Sequence, residues 1–366
     1  MNINSLVLSN FRNYEHEEFE FSPYTNIIYG NNAQGKTNLL EAAAMFSHGR
    51  SSRTKSDKEL VRKGADFAGL DIKFESTVRE HSAKMRILST GKKQIKVNDV
   101  PIAKLSMLMN YLNTVMFSPD DLDLVKGSPS NRRRFLDLAI SQMMPRYLTV
   151  LIEYSKTLAQ KNSLLKKLRS EGKFTDSMLS VWNSGLCESG AKIMKYRKDF
   201  IADMNVFSSQ IHSQISREKL NISYMPSMDF TECDEKTACE CMMNKLEENQ
   251  RREIENGASL YGVHRDDMKI EIDGNDARLF ASQGQKRTAV LSIIIAQTEY
   301  IYSIKEEYPI LLLDDIMSEL DKSRRMFLSQ KIKDKQVLIT CTDADLVDTS
   351  DNVKLFEIKD GRINRK

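Results

Sequence analysis

The sequence predicts an α/β fold whose body is split along the chain by a mostly helical segment. Short apolar runs alternate with helical segments at both ends of the 366-residue chain, which is the pattern of open α/β sheets. Between the two ends the apolar periodicity is helical. We therefore expect residues 1–126 and 257–366 to form one α/β body and residues 127–256 to form an inserted lobe.

The first part of the chain carries the clearest strand signals. A buried strand is predicted at 26–29, where Asn-Ile-Ile-Tyr leads into a glycine. Residues 39–46 form a strong helical segment on propensity alone. Apolar runs and alternation predict further strands at 6–8, 19–21, 69–74, 83–88 and 94–97.

The pattern becomes helical after Gly127. Ser128 and Pro129 fit a helix N-cap followed by proline at the first helical position. Apolar residues then recur at steps of three and four, interrupted at Lys161, which predicts helices packed on helices. Up to about Gly257 we expect mostly helix.

The last part of the chain returns to alternating strands and helices. A long helix is predicted at 285–302, and the most apolar strand of the chain at 309–313. The other predicted elements are strands at 268–272, 277–280 and 337–340, with a turn at 273–276. These elements complete the expected α/β body.

Composition excludes few classes of protein. The chain has 54 basic and 51 acidic residues, for a net charge of +3, so a nucleic-acid surface requires local clustering. No apolar run approaches the ~20 residues that cross a bilayer. The first residues lack a basic start and an uninterrupted apolar stretch, so we expect no signal peptide and a cytoplasmic protein.

Five cysteines are present, and we expect free thiols in a reducing compartment. Only Cys239 and Cys241 are close in sequence, and no second pair follows at zinc-finger spacing. Cytosolic proteins rarely keep disulfides. The remaining cysteines are Cys187, Cys233 and Cys341.

One glycine-rich segment matches the phosphate-binding P-loop, G-x-x-x-x-G-K-[ST], between a predicted strand and a predicted helix. Its glycines let backbone N–H groups face phosphates, and the start of the helix adds favourable potential. Lys36 would reach the β- and γ-phosphates of ATP, and Thr37 would ligate Mg²⁺. The loop consists of Gly30, Asn31, Asn32, Ala33, Gln34, Gly35, Lys36 and Thr37.

An acidic pair follows the apolar strand at 309–313. Ligands of open α/β sheets bind at the carboxyl ends of the strands, where these acids fall. Asp314 would hold Mg²⁺, usually through water, and Asp315 is the candidate general base that orients the attacking water. Neighbouring carboxylates repel, so without metal one should have a raised pKa. Lys36 and Asp315 are the candidate catalytic residues.

A second phosphate-binding cap is predicted at Ser282, Gln283 and Gly284, just before a long helix. A serine and a glycine at a helix start form an anion-binding cap. A chain with one P-loop and one such cap is suited to a sandwich of two subunits. Ser282 of one subunit would then contact the γ-phosphate held by Lys36 of the other. An ordinary N-cap is the alternative reading of this segment taken alone.

The order of these motifs resembles the ABC-type ATPase heads of the SMC-like family, in its bacterial recombination-repair branch. In this order the P-loop comes first, followed by the helical insertion, the S-Q-G-Q signature, L-L-L-D-D and S-E-L-D. The stretches that carry the resemblance extend over nearly the whole chain. They are residues 10–14, 30–42, 117–137, 262–267, 282–287 and 311–321.

The resemblance implies an ATP-dependent homodimer on duplex or gapped DNA, with weak ATP hydrolysis as a switch. It also implies help in loading recombinase at gaps with RecO and RecR, and support of the SOS response. Arg12 and Asn13 would lie near the adenine. The sequence departs from transporter ATPases at Asp315, where they carry glutamate, and at 340–342, where Thr-Cys-Thr replaces the expected switch histidine.

Basic residues cluster on the insertion, with two readings open. Arg132, Arg133 and Arg134 fall in the first turns of a helix, where the helix dipole disfavours cations. They indicate either an anionic partner or intramolecular salt bridges. Further cations could meet DNA phosphates or simply be solvated. These are Lys161, Lys166, Lys167, Arg169, Lys192, Lys195, Arg197 and Lys198.

The segment His264-Arg265-Asp266-Asp267 is better explained by a structural hydrogen-bond cluster than by a metal site. Its His264 and Arg265 could instead reach toward the signature loop. Two rival functions remain for the whole chain. One is a transporter ATPase subunit, disfavoured by the insertion's length and the missing L-S-G-G-Q. The other is a GTPase-like switch, disfavoured by the lack of an N-K-x-D guanine reader.

Overall fold

A computed structural model describes residues 1–54, 56–102, 105–109, 111–228, 234–344 and 352–364. The chain divides into two compact units. The sheet unit comprises residues 1–122, 210–217 and 283–366, and the helical unit comprises residues 123–209 and 218–282. The predicted domain boundaries at 126/127 and 256/257 stay predictions. Cys233 lies outside the described residues, whereas Cys187, Cys239, Cys241 and Cys341 are free, as expected.

The described elements alternate in type along the chain as follows. The strands are β1 (Asn2–Phe11), β2 (Tyr14–Glu20), β3 (Thr25–Tyr29), β4 (Phe67–Glu75), β5 (Glu80–Leu88), β6 (Lys93–Val97), β7 (Val100–Pro101), β8 (Thr114–Phe117), β9 (Leu220–Met225), β10 (Asp267–Ile272), β11 (Asn275–Asp276), β12 (Ile310–Asp314), β13 (Val337–Cys341), β14 (Val353–Lys359) and β15 (Arg362–Ile363). The helices are α1 (Lys36–His48), α2 (Leu105–Leu108), α3 (Asp123–Lys126), α4 (Pro129–Met143), α5 (Pro145–Glu171), α6 (Ser177–Ile215), α7 (Glu235–Glu248), α8 (Gln250–Asn256), α9 (Ala277–Phe280), α10 (Gln283–Lys305) and α11 (Lys322–Lys331).

An antiparallel sheet in the order β2-β1-β4-β5-β6-β7 forms one layer of the sheet unit. Its strands alternate buried and exposed residues, as in β4, where Ala68, Leu70, Ile72 and Phe74 are buried. Period-two alternation lets one face of a sheet bury its apolar side chains. The predicted strands at 69–74, 83–88 and 94–97 are thereby confirmed.

The second sheet runs β15-β14-β3-β13-β12-β8, with β14, β3, β13, β12 and β8 parallel. All five residues of β12 and of β13 are buried. Continuous apolar runs fit a parallel sheet that is covered on both faces. Because parallel strands place their carboxyl ends at one edge, the segments after β3, β13 and β12 lie together. The α/β class predicted from the sequence is confirmed.

Helices α1 and α10 are the most buried helices described around this sheet. Eleven of the thirteen residues of α1 are buried, and Thr288 to Ile301 of α10 are almost entirely so. Both contain long runs of Ala, Leu and Ile with little amphipathic pattern. A helix that is apolar on all sides packs inside a protein. The start of each helix is therefore fixed firmly in the sheet unit.

The helical unit contains one strand that the sequence prediction missed. Strand β9 lies inside the segment expected to be helical, and it pairs antiparallel with β10, Ile222 opposite Ile270. Its alternation, Leu220 and Ile222 buried and Asn221 exposed, is short and was hidden by the neighbouring helical periodicity. The rest of the prediction for this segment is confirmed in α4, α5, α6, α7 and α8.

Two local predictions in the helical unit are corrected. Residues 277–280 form helix α9 rather than a strand, because Asp276 caps the turn by accepting a hydrogen bond from the Arg278 N–H at 2.8 Å. Pro129 begins α4 as expected, but the Ser128 side chain makes no capping bond to the helix backbone. It donates to Asn131 Oδ1 instead.

In the part of the chain described, no helix combines the length and apolarity that a membrane crossing needs.

Candidate nucleotide-binding site

The P-loop lies between β3 and α1, as the motif predicts. Its turn uses backbone conformations in the left-handed region, with φ 146° at Gly30 and 112° at Gly35. A Cβ at Gly30 would collide with the carbonyl oxygen of Ile358. Glycine is therefore required at Gly30 both by conformation and by the close approach of another strand.

Lys36 spans the loop from within. Its Nζ donates hydrogen bonds to the carbonyl oxygens of Gly30 at 2.6 Å and Asn31 at 2.9 Å. Burial lowers the pKa of the Lys36 ammonium, and the nearby Asp315 and Asp314 partly oppose that shift. The ammonium is thus held at the mouth of the loop, where an anion would restore its preference for the charged state.

Asp314 is buried at the end of β12 and joins the two motifs. Its Oδ1 accepts hydrogen bonds from Thr37 Oγ1 at 2.9 Å and from Thr340 Oγ1 at 2.7 Å. Thr340 lies near the end of the strand between β3 and β12, so the sheet order itself brings these three side chains together. The sequence predicted the pairing of Asp314 with Thr37 at a metal, but not the contribution of Thr340.

Asp315 has an unusual backbone and an unsatisfied carboxylate. Its φ is 51°, and its N–H donates to Thr340 Oγ1 at 2.9 Å. The buried Oδ1 atom finds no hydrogen-bond partner among the described residues. Burial raises the pKa of this carboxyl, Asp314 adds to the shift, and Lys36 counters it. Strained backbone and unpaired buried oxygens cluster at functional sites.

The donor set fits a nucleoside triphosphate with a divalent cation. The loop supplies a buried ammonium and a cradle of N–H groups at a helix start, and the strand ends supply a threonine hydroxyl and two carboxylates. Hard oxygen ligands of this kind suit Mg²⁺. Cys341, beside them, is buried in an apolar setting that raises the pKa of its thiol to about 11, so it is an inert neighbour.

Arg12 and Asn13 lie beside the P-loop, where each is held by polar contacts. Arg12 forms a two-pronged ion pair with the buried Glu41 of α1, Nη2 to Oε1 at 2.8 Å and Nε to Oε2 at 3.0 Å. Asn13 Nδ2 donates to the carbonyl oxygen of Gln34 at 2.9 Å. Their expected proximity to adenine stays a prediction.

The signature residues stand at the start of α10. Ser282 and Gln283 are exposed, and Gln283 begins the helix. The next turn is held by Arg324, whose Nη2 donates to the Gly284 carbonyl at 3.1 Å and whose Nε donates to Thr288 Oγ1 at 2.8 Å. Arg324 follows the S-E-L-D segment, and its role had no sequence signal beyond its basic charge.

The basic residues of the insertion divide into buried and exposed groups. Arg132 pairs with Asp267, Nε to Oδ1 at 2.6 Å, and Arg133 donates to the Asp266 carbonyl. Lys161 and Arg197 were expected among the cations that face solvent or DNA, and this is wrong. Lys161 is 1% exposed and pairs with Glu253 at 2.6 Å. The exposed members are Lys166, Lys167, Arg169, Lys192, Lys195 and Lys198.

The segment 264–267 is the structural hydrogen-bond cluster that the sequence favoured. Asp266 is fully buried and accepts bonds from the Ser227 N–H at 2.9 Å and from Arg197 Nη1 at 3.0 Å. His264 shares a hydrogen bond with the Tyr154 hydroxyl, Nδ1 to Oη 2.7 Å. Burial lowers the pKa of His264 to about 4. Within the described ranges, no three His, Cys, Asp or Glu side chains converge as a metal site.

Comparison with known proteins agrees with this site. The model of the RecF/RecN/SMC N terminal domain matches residues 2–364. A curated relative, the DNA replication and repair protein RecF of Staphylococcus aureus, is 41% identical over 370 residues, which cover 99% of this chain and 100% of that protein. A curated RecF sequence from a second strain of that species is also 41% identical over the same length.

Solved structures lead to the same group. The recombination mediator protein RecF with ATP, from the RecFOR pathway, superposes with a TM-score of 0.92 at 36% identity, covering 100% of this chain and 97% of that one. An Smc head bound to a winged-helix domain of ScpA shares the fold alone, with a TM-score of 0.56 at 16% identity. The chain therefore belongs to the RecF/RecN/SMC N terminal domain family, and its full-length relatives within that family are RecF proteins.

Proposed function

We propose that the chain is an ATP-dependent DNA-binding protein of replication and recombinational repair. ATP binding would drive dimerisation on DNA, and slow hydrolysis to ADP and phosphate would release the dimer. The observation that carries this proposal is the hydrogen bond from Thr37 to Asp314, which assembles a P-loop and a metal-binding acid into one site. The full-length likeness to RecF proteins supports the same reading.

The roles of the site residues follow from their geometry. The loop from Gly30 to Thr37 would wrap the phosphates, and Lys36 would exchange its bonds to the loop carbonyls for phosphate oxygens. Thr37 and Asp314 would hold Mg²⁺, which supplies charge neutralisation to the transferred phosphoryl group. Asp315 would accept the proton of the attacking water, and its raised pKa and unpaired oxygen suit that role.

Hydrolysis is expected only when two chains meet. Ser282, Gln283 and Gly284 stand at the start of a long helix with Ser282 exposed, so a phosphate held by a partner subunit can reach this helix start. Arg324 fixes the first turn of the helix, which makes it a rigid cap. Each dimer would then contain two composite sites.

DNA and repair proteins are the proposed partners. Exposed lysines on the insertion can contact phosphates without reading sequence. The solved relatives are described as mediators in the RecFOR pathway, so we include RecO and RecR as partners and recombinase loading at gaps as the outcome. Support of the SOS response and a cytoplasmic location belong to the same proposal.

Sedimentation velocity on the Asp315→Asn variant with fluorescent gapped DNA tests the proposal. With ATP and Mg²⁺ we expect a DNA-bound species that contains two protomers, and without ATP a monomer. Asp315→Asn preserves side-chain size and removes the candidate base, so the ATP-bound state should persist. A monomer that ignores both ATP and DNA would contradict dimerisation and return the transporter and GTPase-like alternatives.

A further inference from the structure

The turn between β14 and β15 touches the P-loop through backbone groups. Strand β14 pairs parallel with β3, Glu357 opposite Tyr29, so both strands end at the same edge of the sheet. The P-loop follows β3 at that edge, and the turn Asp360-Gly361 follows β14. Sheet topology therefore places a C-terminal hairpin beside the phosphate-binding loop.

Gln34 is the loop residue that the hairpin holds. The Asp360 N–H donates to Gln34 Oε1 at 2.5 Å, and the Gly361 N–H donates to the Gln34 carbonyl oxygen at 3.0 Å. Both donors belong to a two-residue turn with φ 50° and 71°, which directs its N–H groups away from the hairpin. The turn thus uses N–H groups that its own ladder leaves free.

Asn13 holds the same loop from the other side. Its Nδ2 donates to the Gln34 carbonyl oxygen at 2.9 Å, and its Oδ1 accepts from Asn38 Nδ2 of α1 at 2.8 Å. Tyr14 adds a hydrogen bond from its hydroxyl to the Gly35 carbonyl at 3.0 Å. The polar groups of Asn13 are therefore committed to the loop and to the helix that follows it.

Steric contacts show that these pieces fit closely. A Cβ at Gly35 would lie 2.6 Å from Asn13 Nδ2, and a Cβ at Gly361 would lie 2.7 Å from the Asn13 carbonyl oxygen. At the other end of the loop, a Cβ at Gly30 would meet the Ile358 carbonyl of β14. Both glycines of the P-loop are thus closed in, one by Asn13 and the other by the strand that leads into the hairpin turn.

We propose that Asn13 and the Asp360-Gly361 turn clamp Gln34 and so hold the P-loop in its phosphate-binding form. They act as positioning residues, since they set the loop geometry through Gln34 rather than by touching phosphate. The inference rests on the proposed function for its consequence, ATP affinity. Displacement of a preorganised binding group by ~1 Å can cost up to roughly a hundredfold.

The chain supplies a matched pair of glycine substitutions. Gly361→Ala introduces a Cβ that meets Asn13, at φ 71°. Gly274→Ala introduces the same backbone strain at φ 77° in another Asp-Gly hairpin turn, but its Cβ would have nothing within 4 Å. The comparison separates loss of the clamp from the strain that alanine brings to any such turn. Asn13→Ala removes the other half of the clamp without strain.

Hydrogen exchange and nucleotide titration together test the clamp. Without nucleotide, Gly361→Ala and Asn13→Ala should speed amide exchange across residues 30–37, and Gly274→Ala should not. With AMP, ADP and ATP, both clamp variants should lose affinity progressively with phosphate number, by roughly tenfold or more for ATP. Gly274→Ala should bind as the wild type does.

Unchanged exchange at residues 30–37 in both clamp variants would overturn the inference. Equal losses for AMP and ATP in Asn13→Ala would also overturn it, because they indicate an adenine contact instead. If the wild-type chain failed to bind ATP at all, the proposed function would fall, and exchange alone would decide on the clamp. The two failures are therefore distinct.

Discussion

Thr37 Oγ1 and Asp314 Oδ1 are 2.9 Å apart, although 277 positions separate them in the sequence. The hydrogen bond is possible because β3 and β12 flank β13 in one parallel sheet and end at the same edge. The hydroxyl of one motif and the carboxylate of the other thus occupy positions from which both can ligate one cation. Predictions about the site start from this contact.

Lys36→Arg should weaken ATP binding and the functions that depend on it. Lys36 Nζ sits 2.6 Å and 2.9 Å from two loop carbonyls, a space shaped for a compact ammonium. The planar and longer guanidinium cannot adopt the same contacts. We expect the dissociation constant for ATP to rise by roughly tenfold or more. Fluorescence titration measures it, with the exposed Lys63→Arg as control.

Asp315→Asn should reduce ATP turnover by about 10²–10⁴-fold, the usual effect of removing a general base. The same change should raise stability at neutral pH. Burial raises the pKa of Asp315, so its ionisation costs folding free energy above the folded pKa and nothing below the ordinary value of 3.8.

Thermal unfolding between acid and neutral pH checks the second part of the Asp315 prediction. The melting temperature of Asp315→Asn should exceed that of the wild type at neutral pH, and the gap should close in acid. Turnover at the wild-type rate in this variant would remove Asp315 as the base. Glu319→Gln, which breaks the ion pair with Arg287, is the control for loss of a nearby acid.

Ser282→Arg should leave ATP binding intact and prevent ATP-dependent dimerisation. Ser282 is exposed at the start of α10, where an arginine folds without steric cost but fills the space proposed for a partner's phosphate. Ser170→Arg, at an exposed position on α5, carries the same added charge elsewhere. Sedimentation with ATP distinguishes the two, and a normal dimer in Ser282→Arg would refute the two-chain site.

His264 should make the helical unit sensitive to acid. Its pKa falls from 6.5 to about 4 on burial, so the stability it contributes is present above pH 6.5 and is lost as the pH falls toward 4. His264→Gln should flatten the loss of melting temperature over that range. His16→Gln, at an exposed histidine, should keep the wild-type profile. Circular dichroism melts at closely spaced pH values would show the difference.

Neutralising exposed lysines of the insertion should weaken DNA binding in a salt-dependent way. Lys166→Gln with Lys167→Gln removes two exposed charges, and the slope of log affinity against log salt should become shallower by about 0.9 for every phosphate that is no longer neutralised. Lys58→Gln with Lys63→Gln on the sheet unit is the matched control. Fluorescence anisotropy from roughly 50 to 200 mM salt covers the useful range. Equal slopes in all three proteins would place the DNA surface elsewhere.

The sequence by itself determined the α/β class, the P-loop and the acidic strand end, because each is a local pattern. A strand, glycine turn and helix are adjacent in the chain from Asn26 to Phe46, and four aliphatic residues lead directly to Asp314 and Asp315. Local propensity and motif spacing therefore locate them without knowledge of the fold. The free cysteines and the hydrogen-bond cluster at 264–267 were predicted in the same way.

Tertiary structure alone decided which partner each polar side chain finds. Lys161 and Arg197 read as surface cations, yet Glu253, Asp137 and Asp266 draw them into the interior as ion pairs. Thr340 reaches Asp314, and Asp360-Gly361 reaches Gln34, only because the parallel sheet brings distant strand ends to one edge. Strand pairing and burial link positions far apart in the chain, and single-sequence periodicity carries no information about such links.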